Sequence, residues 1–402
     1  MKKQSAPNTP RRKPTNVSFN AVEDIKMISP VKSPHKPYTQ GTELPDYPPW
    51  TSRETRELFE KAQELEAKKK TDKARSLLSS YYHNEALEFT TWAQLTPKEL
   101  SLRLSILSEL ESLIKSHIPL ASVALFGSTA NRLALPGSDI DILISLPLVT
   151  VSHTYGLLYE SIVAILQGSD LVEQVEAIRT AAVPIVQARH KATGISVDIV
   201  IEREDGLQGL CLVMALQKAY VELRPIYIIV KAMVSYKQVH KPWRGGVGSF
   251  VLINMIVSYL QHKLYKPKAL GTLSTEPTLP ELVIGFLRFF GEDLNMRRVG
   301  LSILGGGYLF DRRDDSLACG ESNSAICPMI KSPLVPTDDL GTSVRQFQKI
   351  LRPLFNAAAY AMMHWFAAPE SDDDPYSESN KEVKRHVSFV EMLLPEARKM
   401  RK

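Results

Sequence analysis

The sequence predicts an α+β fold, with strands before about residue 205 and helices after it. Two apolar strands, residues 122–126 and 139–144, are separated by a short connection that contains a Gly-Ser pair. Two further apolar strands, joined by a turn, follow within residues 183–201. From Gly206 onward the apolar residues recur at helical spacing. A chain of 402 residues is long enough for two or three such domains.

The composition narrows the class of protein. Apolar residues make up 44% and charged residues 23% of the sequence, which is typical of a globular protein. No apolar run reaches the roughly 18 residues of a membrane span, and the first residues lack the apolar segment of a secretory signal. Cys211, Cys319 and Cys327 are too few and too unevenly spaced for a disulfide framework or a zinc site. This favours a reducing compartment, the nucleus or the cytosol.

Both ends of the chain are rich in charged residues. Residues 1–45 combine prolines with lysines and arginines and lack apolar periodicity, so we predict a disordered basic tail. Within it, residues 11–14 (Arg-Arg-Lys-Pro) fit a nuclear-import patch or a weak RNA-binding arm, and a solubilising tail is an equal alternative. Residues 369–402 run from acidic to basic, and we expect a charged tail with at most one short helix.

Two helices are predicted before the first strand. Residues 52–80 are rich in Glu, Lys and Ala with a thin apolar face, so we expect one helix on the outside of the body. The second helix begins at Thr96, which forms a capping box with Glu99. Its predicted buried face, at helical spacing, consists of Leu100, Leu104, Leu107, Leu110 and Ile114.

Two carboxylates lie on the second strand. Asp139 and Asp141 share one face because successive strand side chains alternate, while Ile140 and Ile142 point to the core. Neighbouring carboxylates repel each other, and a shared proton or a divalent cation relieves this. Oxygen ligands favour Mg²⁺ or Mn²⁺. An Asp-x-Asp pair alone is also typical of a solvated strand face.

The connection before these carboxylates suits phosphate binding. Gly127 allows close approach of the backbone to an anion, and Ser128 offers an N–H and a hydroxyl to phosphate oxygens. Asp198 is the one acid of the strand at 195–201, where burial would be costly without a cation. An edge-strand Asp facing water is the alternative. The three carboxylates Asp139, Asp141 and Asp198 together predict a two-metal phosphoryl-transfer site.

A glycine-rich segment later in the chain is a second candidate for phosphate binding. Lys231 lies within an apolar helix at residues 225–239, and residues 241–250 (Lys-Pro-Trp-Arg-Gly-Gly-Val-Gly-Ser-Phe) precede another helix. A Lys near a helix N-terminus could hold a triphosphate. The alternative interpretation is that the Gly-Gly pair only connects two helices, which requires no ligand.

Several motifs resemble known families. Residues 122–144 resemble the nucleotidyltransferase superfamily of DNA polymerase β, whose pattern is apolar-Gly-Ser, a spacer and Asp-apolar-Asp. Residues 224–262, 282–308 and 331–341 resemble the central domain and the nucleotide-recognition loop of the Trf-type nuclear poly(A) polymerases, the terminal nucleotidyltransferases of RNA surveillance.

The resemblance implies a domain organisation. We expect a bilobal nucleotidyltransferase with a mixed β-sheet catalytic domain at residues 119–205 and a mainly helical central domain at residues 206–368. N-terminal helices at residues 46–118 are expected to pack on the central domain.

The resemblance also implies roles for individual residues. Asp139, Asp141 and Asp198 would bind two Mg²⁺ (or Mn²⁺) ions, and Asp198 would help to deprotonate the attacking hydroxyl. The expected nucleotide-binding residues are Gly127, Ser128, Lys231, Gly248, Ser249, Phe250, Asp338 and Asp339.

Two of these residues depart from the family pattern. Phe250 stands where the family has a Tyr that stacks on the base, so stacking is retained without the hydroxyl. Asp338 stands where the family has an Asn. An ionised carboxylate only accepts hydrogen bonds and suits the exocyclic amine of adenine, which favours ATP. Uridylyl-adding relatives tend to have a His in this loop.

The resemblance implies template-independent transfer of AMP from ATP to RNA 3′ ends in nuclear RNA quality control. Expected partners are RNA 3′ ends, a zinc-knuckle RNA-binding protein, an RNA helicase and, indirectly, the nuclear exosome; no membrane is expected. Two alternatives stay open: a uridylyltransferase of the same fold, and a catalytically weak scaffold of an RNA-processing complex.

Overall fold

The computed structural model describes seven stretches of the chain. They are residues 46–146, 152–179, 184–201, 204–263, 276–314, 327–366 and 388–401. The predicted basic tail at residues 1–45 and the acidic part of the C-terminal segment lie outside them.

The first helical segment differs from the prediction of one outer helix. It forms two helices, α1 (Arg53–Ala67) and α2 (Thr71–Trp92). They separate where Lys69 adopts a left-handed conformation with φ of 56°. Tyr81, Tyr82 and Phe89 of α2 are buried in the main core, so α2 is an internal helix. The prediction failed because aromatic residues supply a buried face that the charged residues of this segment obscure.

The third helix, α3 (Pro97–His117), begins as predicted. Thr96 accepts a hydrogen bond from the N–H of Glu99, and the Glu99 carboxylate accepts one from the N–H of Thr96. The buried face contains Arg103, Ile106, Leu110 and Ile114, whereas the predicted Leu104 is 46% exposed. This face packs on the sheet, so only α1 and α2 of the expected N-terminal group join the central core.

The sheet of the first lobe is mixed and five-stranded. Its spatial order is β1-β2-β5-β4-β3, and only β2 and β5 pair in parallel. The strands are β1 (Ser122–Leu125), β2 (Ile140–Ser145), β3 (Val172–Ile178), β4 (Ile185–His190) and β5 (Ser196–Ile201). Strand β3 was not predicted, because a register shift between Glu173 and Glu176 interrupts its alternation.

Two helices cover one face of this sheet. They are α3 and α5 (Ser152–Gln167), and a short helix, α4 (Gly127–Ala130), follows β1. The core beneath these helices contains four fully buried strand residues, Ile140, Ile142, Val197 and Ile199. The predicted alternation is therefore confirmed, and it turns the neighbouring aspartates to the opposite face of the sheet.

The second lobe is mainly helical and has its own core. Its helices are α6 (Glu204–Ala219), α7 (Leu223–Tyr236), α8 (Ser249–Lys263), α9 (Leu279–Arg288) and α10 (Arg352–Phe366). A small sheet of β6 (Val299–Ser302), β7 (Tyr308–Asp311) and β8 (Met329–Ile330), which sequence analysis missed, lies beside them. The α+β bilobal fold with a mixed sheet and a helical lobe is confirmed.

The C-terminal segment is not a free tail where the structure describes it. Residues 388–401 contain α11 (Phe389–Leu393), and Phe389, Val390 and Leu393 are buried in the main core. Ser388 and Arg398 bind residues of the N-terminal helices and the segment before them. The expected tail boundary is therefore corrected, because the charged residues around this segment mask its apolar anchors.

Across the described stretches, every helix is too short or too polar to cross a membrane.

Candidate active site between the two lobes

The structure brings the three predicted carboxylates together on the open face of the sheet. Asp141 on β2 pairs directly with Asp198 on β5 in parallel register. Asp139 immediately precedes β2. Positions distant in the chain are therefore adjacent side chains in the sheet.

Burial and mutual repulsion disfavour ionisation of two of these groups. Burial raises the pKa of Asp141 to about 7, and the charges of Asp198 and Asp139 act in the same direction. Burial also raises the pKa of Asp198 to about 6, with a further contribution from Asp139. Such a cluster is stabilised by any cation that binds it.

Each of these two carboxylates is engaged by a donor of the protein. The Ser128 N–H donates to Asp141 Oδ2 at 3.2 Å, and Gln187 Nε2 donates to Asp198 Oδ1 at 2.8 Å. Among the residues that the structure describes, no three His, Cys, Asp or Glu side chains are arranged so that they could hold one metal ion as they stand. The donor set fits Mg²⁺ or Mn²⁺ in charge and ligand type, and these side chains must turn to coordinate an ion.

Gly127 is required by the position of Asp141. Its φ is +64°, and a Cβ at this position would lie 2.1 Å from Asp141 Oδ2. A side chain would therefore collide with the carboxylate and strain the backbone. The predicted Gly-Ser turn thus contacts the carboxylate site directly.

Lys231 supplies a cation from the helical lobe. Its Nζ donates to Ser249 Oγ at 3.1 Å, which links α7 to the first residue of α8. Burial lowers the pKa of Lys231 to about 8, although the charges of Asp141 and Asp139 oppose this shift. The carboxylates of one lobe and the lysine of the other therefore belong to one site.

His240 was not a predicted site residue, and Lys241 was predicted only as the first residue of the glycine-rich segment. The charge of Lys241 acts on both Asp198 and Lys231, so its side chain lies close to both lobes. Burial, followed by the charges of Lys231 and Lys241, lowers the pKa of His240 to about 4. His240 is therefore neutral near pH 7.

Arg103 holds the loop that carries Asp139. This buried residue of α3 donates from Nη2 to the carbonyls of Pro136 and Ser138, both at 3.0 Å. Arg103 was not a predicted site residue, although a charged residue at helical spacing with Ile106 and Leu110 was a signal.

The glycine-rich segment has packing reasons for its glycines. A Cβ on Gly246 would lie 2.3 Å from Val239 O, and one on Gly248 would lie 2.9 Å from Pro242 Cγ. The close connection between α7 and α8 thus requires glycine without a ligand, as the alternative interpretation held. Phe250 is half-buried against the helical core. The nucleotide-binding roles of Gly248 and Phe250 stay predictions.

The two loop aspartates differ in their surroundings. Asp339 Oδ1 accepts hydrogen bonds from the N–H groups of Ile330 and Gly341, both at 2.8 Å, so this side chain shapes the loop. The side chain of Asp338 is exposed, while its backbone N–H donates to Val335 O. The base-contacting role of Asp338 stays a prediction.

The fold is similar to several solved polymerase cores. The polymerase core of TRAMP, an RNA surveillance complex, matches with a TM-score of 0.63 and 23% identity over 72% of this chain and 88% of that one. The Cid1 poly(U) polymerase matches with a TM-score of 0.58 and 19% identity over 74% and 97% of the two chains. This likeness shows the fold.

Sequence comparisons identify a matching family model and several relatives of this chain. Residues 83–215 match the family described as "Poly(A) RNA polymerase, mitochondrial-like, central palm domain". Poly(A) RNA polymerase cid14 of Schizosaccharomyces pombe is 27% identical over 68% of this chain and 39% of its own length. The inactive non-canonical poly(A) RNA polymerase protein Trf4-2 of Drosophila melanogaster is 29% identical over 65% of this chain and 63% of its own. Poly(A) RNA polymerase protein 2 of Saccharomyces cerevisiae is 27% identical over 56% and 38%.

The chain is thus similar, over 56–68% of its length, to proteins named as poly(A) RNA polymerases, one of which is described as inactive. It spans 39% and 63% of the lengths of the first two relatives, which is less than two thirds in both cases.

Proposed function

We propose that this chain is a poly(A) polymerase that transfers AMP from ATP to the 3′ end of RNA. The observation that carries the proposal is the pairing of Asp141 with Asp198 beside Asp139, at the Gly127-Ser128 turn. A cluster of mutually repelling carboxylates next to a backbone N–H donor suits cation-assisted phosphoryl transfer. Relatives named as poly(A) RNA polymerases support the choice of reaction.

In this proposal Asp139, Asp141 and Asp198 hold Mg²⁺ or Mn²⁺. Two bound ions supply Lewis acidity, which lowers the pKa of the attacking hydroxyl and stabilises the leaving pyrophosphate. The Ser128 N–H, which donates to Asp141 Oδ2, would be a donor for a phosphate oxygen if Asp141 bound an ion instead. Lys231 and Ser249 bind phosphate oxygens from the opposite lobe.

The reaction forms one bond and breaks one. The RNA 3′ oxygen bonds to the α-phosphorus of ATP while the bond from that phosphorus to the β-phosphate bridging oxygen breaks. Asp198 accepts the hydroxyl proton. Arg103 and Gln187 act as positioning residues for Asp139 and Asp198.

ATP is the proposed nucleotide because Asp338 presents an exposed hydrogen-bond acceptor in the recognition loop. UTP is the second candidate, since the chain shares its fold with the Cid1 poly(U) polymerase. A catalytically weak scaffold is the third, because one relative is named as inactive.

The proposal also covers the binding partners and the cellular compartment. The matched TRAMP structure is the polymerase core of an RNA surveillance complex. By this likeness we propose a zinc-knuckle RNA-binding protein and an RNA helicase as partners, the nuclear exosome as an indirect partner, and the nucleus as the compartment.

The test is incorporation of labelled nucleotide into an oligoadenylate primer in the presence of Mg²⁺. Wild-type protein should incorporate AMP, and the double variant Asp139→Ala, Asp141→Ala should not. Asp170→Ala removes an exposed carboxylate of the same lobe and should keep full activity. UTP incorporated in preference to ATP would overturn the choice of nucleotide. Equal, background incorporation by wild type and double variant, with and without a zinc-knuckle partner, would favour the scaffold.

A further inference from the structure

An exposed tryptophan lies in the turn between α7 and α8. Trp243 is 52% exposed on the short 3₁₀ helix Pro242–Arg244. The guanidinium of Arg244 lies 4.5 Å and the Nζ of Lys241 6.0 Å from the centroid of its ring. Arg345 donates from Nη2 to Trp243 O at 3.0 Å. We call Lys241, Trp243, Arg244 and Arg345 the basic-aromatic turn.

The backbone of this turn is fixed on two sides. Gly245 adopts φ of +84°, and its N–H donates to Pro242 O at 2.7 Å. The N–H of Gln346 donates to Gly245 O at 2.9 Å, which attaches the turn to the segment just after the recognition loop. Trp243 is therefore held on a preorganised support although its ring is exposed.

The turn borders the carboxylate site. Lys241 at one end acts electrostatically on Asp198 and Lys231. Arg345 at the other end follows the loop of Asp338 and Asp339. The tryptophan thus lies beside the carboxylate site and is not one of the residues proposed for ATP.

The charges of the turn are available to a ligand. Among the ion pairs of the described residues, none involves Lys241, Arg244 or Arg345. Two cations at the ring of an exposed indole and a third at its backbone carbonyl have the chemistry of a single-strand binding site, in which a base stacks on the ring and phosphates contact the cations. A folded apolar partner would instead need a wider apolar surface.

We propose that the basic-aromatic turn binds the single-stranded RNA acceptor close to its 3′ end, with a base stacked on Trp243 and phosphates on Arg244 and Arg345. The inference rests on the proposed function and adds the site that presents the RNA to the carboxylates. It assigns Trp243 to the acceptor and not to ATP.

The test is equilibrium binding of a fluorescein-labelled oligoadenylate by anisotropy, in EDTA so that no chemistry occurs. Trp243→Ala should weaken binding by about 5- to 100-fold, and Trp243→Phe should keep most of the affinity. Tyr360→Ala, which removes a 65% exposed aromatic residue of α10, is the matched control and should bind as wild type. Thermal unfolding checks that each variant is folded.

Two further readouts separate stacking from charge. Arg244→Ala should reduce the slope of log affinity against log salt by about 0.7 for one lost phosphate contact. ATP affinity should be unchanged in Trp243→Ala. Equal loss of ATP and RNA affinity would assign the turn to the nucleotide and overturn the inference, as would unchanged RNA binding by both Trp243→Ala and Arg244→Ala.

The two proposals fail in different ways. If wild type extends the primer and Trp243→Ala does so with unchanged KM for RNA, the acceptor site is wrong and the polymerase stands. If wild type never extends the primer but binds RNA through Trp243, the polymerase is wrong and the RNA site stands.

Discussion

Asp141 and Asp198 are direct neighbours across the parallel strands β2 and β5. Because Asp139 lies close to both, the first lobe concentrates negative charge at one end of its sheet. Lys231 opposes this charge from the other lobe. The stability of the metal-free protein, its cation binding and the proposed reaction therefore all depend on the Asp141–Asp198 pair.

Asp198→Asn should stabilise the metal-free protein. The amide keeps the oxygen that accepts from Gln187 and removes a charge beside Asp141, so we expect a gain of about 1–2 kcal/mol in unfolding free energy at pH 8 in EDTA. Mg²⁺ should raise the melting temperature of wild type and have little effect on the variant. Asp170→Asn is the control, and an Mg²⁺ response equal in wild type and Asp198→Asn would argue against the metal site.

Lys231→Met should weaken ATP binding. A buried ammonium beside Ser249 is expected to make a charge-assisted hydrogen bond to a phosphate, worth about 1.5–3 kcal/mol, so affinity should fall about 10- to 100-fold. Ser249→Ala should have a smaller effect. Equilibrium dialysis with labelled ATP measures both, and unaffected ATP binding in Lys231→Met would exclude the lysine from the phosphate site.

Asp338→His should shift base choice toward UTP. The exposed side chain can be exchanged without removing the hydrogen bonds that Asp339 makes within the loop. Competition between ATP and UTP gives the ratio of kcat/KM values, and Asp338→Asn should retain a preference for ATP. A ratio that is equal in wild type and both variants would show that Asp338 does not contact the base.

Glu85 should make stability depend on pH. Its buried carboxyl accepts from Trp50 Nε1 at 2.7 Å and from Ser388 Oγ at 2.6 Å, and burial raises its pKa to about 7. The folded state therefore holds this proton where the unfolded chain has lost it. The contribution of Glu85 to the free energy of unfolding is fully present below about pH 4.5 and is lost as the pH rises to about 7. The free energy of unfolding should fall by up to about 3 kcal/mol over this range.

Glu85→Gln tests this dependence. The amide keeps one acceptor oxygen and cannot ionise, so unfolding free energy should fall less between pH 5 and 7 than in wild type. Urea denaturation at several pH values isolates the difference, because the pH response of Asp141 and Asp198 is common to both proteins. Parallel pH profiles would contradict the assignment.

Phe389→Ala should destabilise the protein without changing ATP affinity. Phe389 is fully buried in the main core, and such a truncation costs about 3–5 kcal/mol. Met363→Ala on α10, where the side chain is 43% exposed, is the control. A melting temperature close to that of wild type would show that the C-terminal segment contributes little to the core.

Much of the first lobe could be predicted because its signals are local. The alternation around Asp139 and Asp141, the single acid at Asp198 and the capping box at Thr96 each depend on spacing along one element. Strand β3 escaped prediction because a bulge interrupts the same spacing. The helical lobe was recognised from its apolar period.

The sequence by itself determined the two-lobed α+β class, the Gly-Ser turn and the faces on which the aspartates lie, since backbone geometry converts spacing into direction. Only the tertiary structure decided that Asp141 and Asp198 share a register position, that Lys231 meets Ser249, that Asp339 shapes its loop and that Phe389 enters the core. These contacts join residues far apart in the chain. Their partners are chosen by the packing of whole elements, which no local period encodes.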